Sequence, residues 1–103
     1  GGPTTAHYAA SKAGLISLTQ VIARWGAEHN IMVNSISPGI IETDLTREEL
    51  ASGGGAGVVA LTLLKRPGQV EDVSTIAVML ASDEQNYMTG QTISPNGGSY
   101  FTD

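Results

Sequence analysis

The sequence predicts an α/β layer fold, the C-terminal part of a doubly wound parallel sheet, and three observations predict it. A proline-free helical pattern over residues 8–28 leads into a continuously apolar strand at 31–36. A second apolar-striped helix at about 69–82 leads into a short strand at 91–94. Two parallel strands do not make a sheet covered on both faces, so further strands are expected upstream or on another chain.

Taken in order, GGPTTA at 1–6 is turn chemistry, in which Thr4 or Thr5 caps the helix that starts near His7. Leu15, Leu18, Ile22 and Trp25 then recur at three- and four-residue steps, while Ala9, Ala13, Ser17 and Val21 put small or apolar residues on further faces. Burial on more than one side is expected, and Ala13 and Gly14 leave room for another backbone. His29-Asn30 ends the helix. Ile31-Met32-Val33-Asn34-Ser35-Ile36 is too apolar for one exposed face and reads as a central parallel strand, stopped by Ser37-Pro38-Gly39. Residues 40–50 form a loop entering a charged helical turn, and Ser52-Gly53-Gly54-Gly55-Ala56-Gly57 is a pliable stretch before the apolar segment 58–64. After Arg66-Pro67-Gly68, Glu71 and Asp72 stand where carboxylates favour a helix N-terminus, and Val70, Val73, Ile76, Ala77 and Leu80 carry the apolar stripe. Residues 83–90 are a polar connection, and Pro95-Asn96-Gly97-Gly98 turns after the last strand.

A chain of 103 residues holds one compact unit at most, so residues 1–103 are expected to be one portion of a single domain. The opening Gly1-Gly2-Pro3, without Met, reads as a processed, excised or truncated start. A net charge of −5 with five scattered Lys and Arg argues against nucleic acid, whose phosphates need clustered cations. The absence of cysteine removes disulfides and thiolate chemistry and is compatible with a reducing cytosol, so a cytoplasmic protein is expected. His7 and His29 are too far apart in sequence to suggest a zinc site, and no apolar run approaches the ~20 residues of a membrane span.

The chemistry candidates begin in HYAASKAG at 7–14. Tyr8 and Lys12, at i and i+4 of one helix, point the same way. A cation beside a phenol favours the phenolate, which brings a tyrosine toward the working range of an acid/base catalyst. The pair alone is also what a helix surface carries by chance. Similarly, Pro38-Gly39 alone is a strand-ending turn and Thr43 alone a helix cap.

Four segments together say more. YAASKAG, VNSISPGIIETD, RPGQVEDV and TGQTISPNGG resemble, in order and spacing, the Tyr-x-x-x-Lys site, the strand and Pro-Gly cofactor loop, the Arg-x-Gly-x-x-Glu helix start and the closing strand of the short-chain dehydrogenase/reductase family. Its 3-oxoacyl-carrier-protein reductase type is the nearest in character. The resemblance implies a Rossmann fold and hydride transfer between NAD or NADP and a carbonyl or alcohol carbon of a small substrate. It implies Tyr8 as acid or base, and Lys12 tuning it and bonding the nicotinamide ribose. Pro38 and Gly39 would shape the loop under the nicotinamide, the Ile41 backbone would meet its carboxamide, and Thr43 would bond carboxamide or pyrophosphate. A homo-oligomer, dimer or tetramer, is implied as well, built on the helices and last strand.

The departures limit what is expected. No glycine-rich phosphate loop, Asn-Asn-Ala-Gly stretch or catalytic serine precedes Tyr8, so the chain carries half a site and does not choose NAD over NADP. Gly55-Ala56-Gly57-Val58-Val59-Ala60 fits the letters of a dinucleotide fingerprint but follows a charged helical turn instead of a strand, so it is expected to be a mobile loop, which the resemblance implies covers the substrate as a lid. His7 diverges from Tyr8 as an i,i+1 neighbour and is assigned to the helix start or substrate rim. Two rivals stand beside the enzyme: a non-catalytic truncated fragment that keeps the oligomerisation helices, and a small independent binding domain related by descent only.

Overall fold

A computed structural model describes residues 6–51 and 56–101. The proposed caps Thr4 and Thr5 and the lid glycines 53–55 lie outside the described residues. The elements run α1 (Ala6–Ala27), β1 (Ser35–Ile36), α2 (Arg47–Ala51), α3 (Ala56–Ala60), α4 (Val70–Ala81) and β2 (Thr92–Ile93). They fall into two units, one of residues 1–35 with 83–93 and the other of residues 36–82 with 94–103.

In the first unit α1 ends where expected, and by a specific device. Asn30 takes a left-handed φ of 59°, which a short polar side chain tolerates, and Ile31 N–H turns back to the Gly26 carbonyl at 2.9 Å. A Cβ on Gly26 would stand 2.9 Å from the Ile31 oxygen, so only glycine lets the chain double back there. The buried stripe of α1 is Thr19, Ala23 and Gly26, with Gly90 packed close to Ala23. Burial on several sides is not seen within this chain: Leu15, Leu18, Ile22 and Trp25 are exposed, Trp25 by 69%.

The expected strand 31–36 is shortened to Ser35–Ile36. Side chains take over the bonding before it: Thr89 Oγ1 accepts the Val33 N–H at 3.0 Å, and Asn34 Oδ1 accepts the Gln91 N–H at 3.1 Å. Asn34 Nδ2 also donates to the Met88 carbonyl, whose turn is held by the Gln85 side chain. β1 pairs with β2 in a two-stranded sheet. Gly90 N–H bonds Val33 O and Ser35 N–H bonds Gln91 O, so the two segments advance in the same direction. Ser35 and Thr92 join hydroxyls at 2.8 Å. Among the described residues β1 has one strand neighbour, β2.

In the second unit the charged turn becomes α2, and the first part of the apolar segment becomes α3. Thr62, fully buried, donates to Val59 O and accepts from Lys65 N–H, each at 2.8 Å. The start of α4 is capped by reciprocal contact: Asp72 N–H bonds the Gln69 carbonyl, and Asp72 Oδ2 accepts the Gln69 N–H at 2.7 Å. Val73, Ile76 and Leu80 are half-buried on one face, whereas Val70 and Ala77 of the expected stripe are exposed. Ala23 is the only buried hydrophobic residue among those described.

Candidate active site

Tyr8 and Lys12 stand one turn apart on α1, on the same face by helical geometry. Tyr8 is 63% exposed and Lys12 half-buried. His7, beside Tyr8, is exposed. Among the described residues no three His, Cys, Asp or Glu side chains come together as a metal site, and no helix is long and apolar enough to cross a membrane.

Pro38, Gly39, Ile41 and Thr43 are gathered in the second unit, on the loop that leaves β1. Several bonds hold that loop. Gly39 N–H donates to Pro95 O at 3.1 Å. Ile41 forms a parallel bridge with Gly68, in which Gly68 N–H bonds Ile40 O and Glu42 N–H bonds Gly68 O, both at 2.8 Å. That pattern turns the N–H and C=O of Ile41 itself away from Gly68. The carbonyl is taken by the Thr46 hydroxyl at 2.8 Å, while no acceptor among the described residues takes the N–H. An outward backbone donor on a braced loop suits the carboxamide contact assigned to Ile41.

Thr43 does two things. Its carbonyl accepts from Thr46 N–H and Arg47 N–H, which makes it the start of the turn into α2. Its hydroxyl lies 3.3 Å from that of Thr46 and retains capacity for a further bond. Thr46 is the residue the sequence reading missed: one hydroxyl accepts the Thr43 N–H at 2.8 Å and donates to Ile41 O. Its signal was the three-residue spacing in Thr43-Asp44-Leu45-Thr46, the spacing of a side chain reaching back to a turn. Arg47 completes the rim with an ion pair to Asp44 at 3.2 Å.

Two other features carry no chemistry of their own. A cavity of about 220 Å³ borders Ile40, Thr62, Arg66, Asp72 and Asn96, but its charges are paired with each other, Arg66 to Asp72 at 3.0 Å. Gly57 and Val59 of the false dinucleotide fingerprint lie on α3, and Gly55 lies outside the described residues.

Comparison with known proteins identifies the family. Residues 1–100 match the family model described as enoyl-(acyl carrier protein) reductase. The 3-oxoacyl-(acyl-carrier-protein) reductase FabG of Salmonella typhimurium is 43% identical over 101 residues, which cover 98% of this chain and 41% of that protein. A short-chain dehydrogenase/reductase of Brucella melitensis, described as a glucose/ribitol dehydrogenase, superposes with a TM-score of 0.86 at 36% identity, covering 99% of this chain and 41% of the other. ElxO with NADP bound superposes at 0.85 with 30% identity, covering 96% and 41%. The chain thus spans about two fifths of the length of the relatives it matches. With its helices and paired strands matching Rossmann-fold oxidoreductases from end to end, the chain belongs to the short-chain dehydrogenase/reductase family.

Proposed function

We propose that this chain is the C-terminal portion of an NAD- or NADP-dependent oxidoreductase that acts on a carbonyl or alcohol carbon of a small substrate. The observation that carries the reading is the braced loop 38–43, with the Ile41 N–H turned outward, in the same chain as a Tyr8–Lys12 pair one helical turn apart. The dinucleotide, when bound, supplies or accepts the hydride. Tyr8 gives its phenolic proton to the substrate oxygen in reduction and takes it back in oxidation, and Lys12 stabilises the phenolate and bonds the nicotinamide ribose. Pro38 and Gly39 form the floor of the nicotinamide site, Ile41 N–H holds the carboxamide, and the Thr43 hydroxyl bonds carboxamide or pyrophosphate. The pyrophosphate-binding glycines and the upstream serine belong to the N-terminal part of the domain, which the relatives' extra length accommodates. The apolar faces of α1 and α4, with Leu15, Leu18, Trp25 and Val78 exposed, suit that missing sheet and a second subunit in a cytoplasmic dimer or tetramer.

The test is Tyr8→Phe in the complete protein. The ring still packs, but the proton is gone, so hydride transfer followed by nicotinamide absorbance should fall by at least ~100-fold while dinucleotide affinity changes little. Turnover close to that of the parent would remove Tyr8 from the chemistry.

A second reading rests on the same exposed helix faces: a truncated, non-catalytic piece that assembles with full-length subunits. Intact mass of the native protein separates the two. A polypeptide about two and a half times this length, as the 41% coverage of relatives implies, supports the enzyme, and a short chain found in assemblies supports the piece.

A further inference from the structure

The loop assigned to the nicotinamide has its partner in the turn that closes the chain, Asn96-Gly97-Gly98, and both belong to the second unit. Prolines at 38 and 95 supply no N–H, so the Gly39 N–H to Pro95 O bond is the backbone tie between loop and turn at this level. Contact there is tight: a Cβ on Gly39 would stand 2.9 Å from both Cα and Cβ of Asn96. The turn cannot retreat, because its other side is gripped as well. Leu63 N–H and Leu64 N–H both donate to Gly97 O, at 2.9 and 3.1 Å, and a Cβ on Gly98 would meet the Leu63 side chain at 2.9 Å. Gly97 and Gly98 hold φ values of 64° and 84°, which glycine alone adopts freely. One side chain sets this shape. Asn96 Oδ1 accepts the Gly98 N–H at 2.9 Å and its Nδ2 donates to Tyr100 O at 3.2 Å.

We propose that Asn96 is a positioning residue: through the turn 96–98 it fixes the height of the Pro38-Gly39 loop and so controls how tightly the nicotinamide end of the dinucleotide is held, without touching the adenosine end. This rests on the cofactor reading above. If the turn relaxes, Gly39 loses the surface it abuts, and the loop carrying the Ile41 N–H can shift away from the carboxamide. The adenosine half, bound by the upstream glycine motif, has no route to feel that shift.

The experiment uses the complete protein and compares dissociation constants for NADH or NADPH, whichever it prefers, with those for ADP-ribose or its 2′-phosphate, which lack the nicotinamide. Asn96→Ala should weaken the reduced dinucleotide about tenfold, the scale of losing paired hydrogen bonds, and leave ADP-ribose within about twofold. Asn96→Asp keeps the acceptor for Gly98 N–H and loses the donor to Tyr100, so a smaller loss of about threefold, again confined to the dinucleotide, is expected. If the alanine variant fails to fold, the aspartate variant decides. Equal weakening of both ligands, the mark of general loosening, or no weakening of either, overturns the proposal. A parent protein that binds neither ligand overturns the cofactor reading with it, whereas a parent that binds both beside an unselective variant overturns the brace alone.

Discussion

Gly39 and Gly68 are both crowded, but by atoms of different freedom. A methyl on Gly39 would run into the Asn96 backbone and Cβ at 2.9 Å, whereas one on Gly68 would meet the Ile41 Cδ1 tip at 2.6 Å with its next neighbour at 3.5 Å. A terminal methyl can rotate away; the Cα and Cβ of a residue whose side chain makes two hydrogen bonds cannot. Gly39→Ala is therefore expected to cost about 1–3 kcal/mol as overpacking and Gly68→Ala clearly less, measured by urea unfolding of the complete protein. An equal loss at the two sites would contradict this account of the loop. Ser37, just before the loop, has a buried hydroxyl with no hydrogen-bond partner among the described residues, which marks this strand end as one where polar pairing is incomplete within them.

At the scale of elements, α4 owes its start to Asp72. The Gln69 N–H it accepts, and then the Arg66 guanidinium, hold this carboxyl below the ordinary carboxylate range, against a smaller opposing effect of burial. A folded-state value below the unfolded one means stabilisation that is complete above about pH 4 and is lost as pH falls through the lower, folded value. The protection of first-turn α4 amides, relative to the unstructured chain at the same pH, should accordingly fall on acidification below about pH 4, and Asp72→Asn should remove that loss of protection. Persistence of the same acid transition in the variant would assign it to another carboxylate. For α1, periodicity located the helix and Asn30 its end, but not its buried face: the inward stripe is the small one, Thr19, Ala23 and Gly26. Small residues carry little hydropathy, so no reading of apolar spacing selects them.

For the whole molecule, the shortage of core decides. Ala23 is the sole buried hydrophobic residue among those described, while Trp25, Leu45, Leu61, Val78 and Phe101 are each more than 60% exposed. Burial at roughly 25 cal/mol per Å² cannot offset the ordering of about a hundred residues when the large side chains stay in water. The 103 residues expressed alone should then be partly unfolded or aggregated and show no saturable binding of NADH or NADPH by fluorescence titration. A cooperative unfolding transition with saturable binding, from this chain only, would overturn the portion reading and require a second dinucleotide site within it.

The sequence by itself determined the family, through four motifs in order, and the existence of α1, α4 and the two strand segments, because periodicity, caps and turn residues act over a few neighbours. It also placed Pro38, Gly39, Ile41 and Thr43 on one loop. Only tertiary structure decided how that loop is held: Thr46 beneath it, Gly68 beside Ile41, and the turn at Asn96 against Gly39. Those contacts join residues up to 57 positions apart through side-chain and backbone bonds to unlike partners. No local pattern encodes such a pairing, since it exists only once parallel segments have been brought side by side.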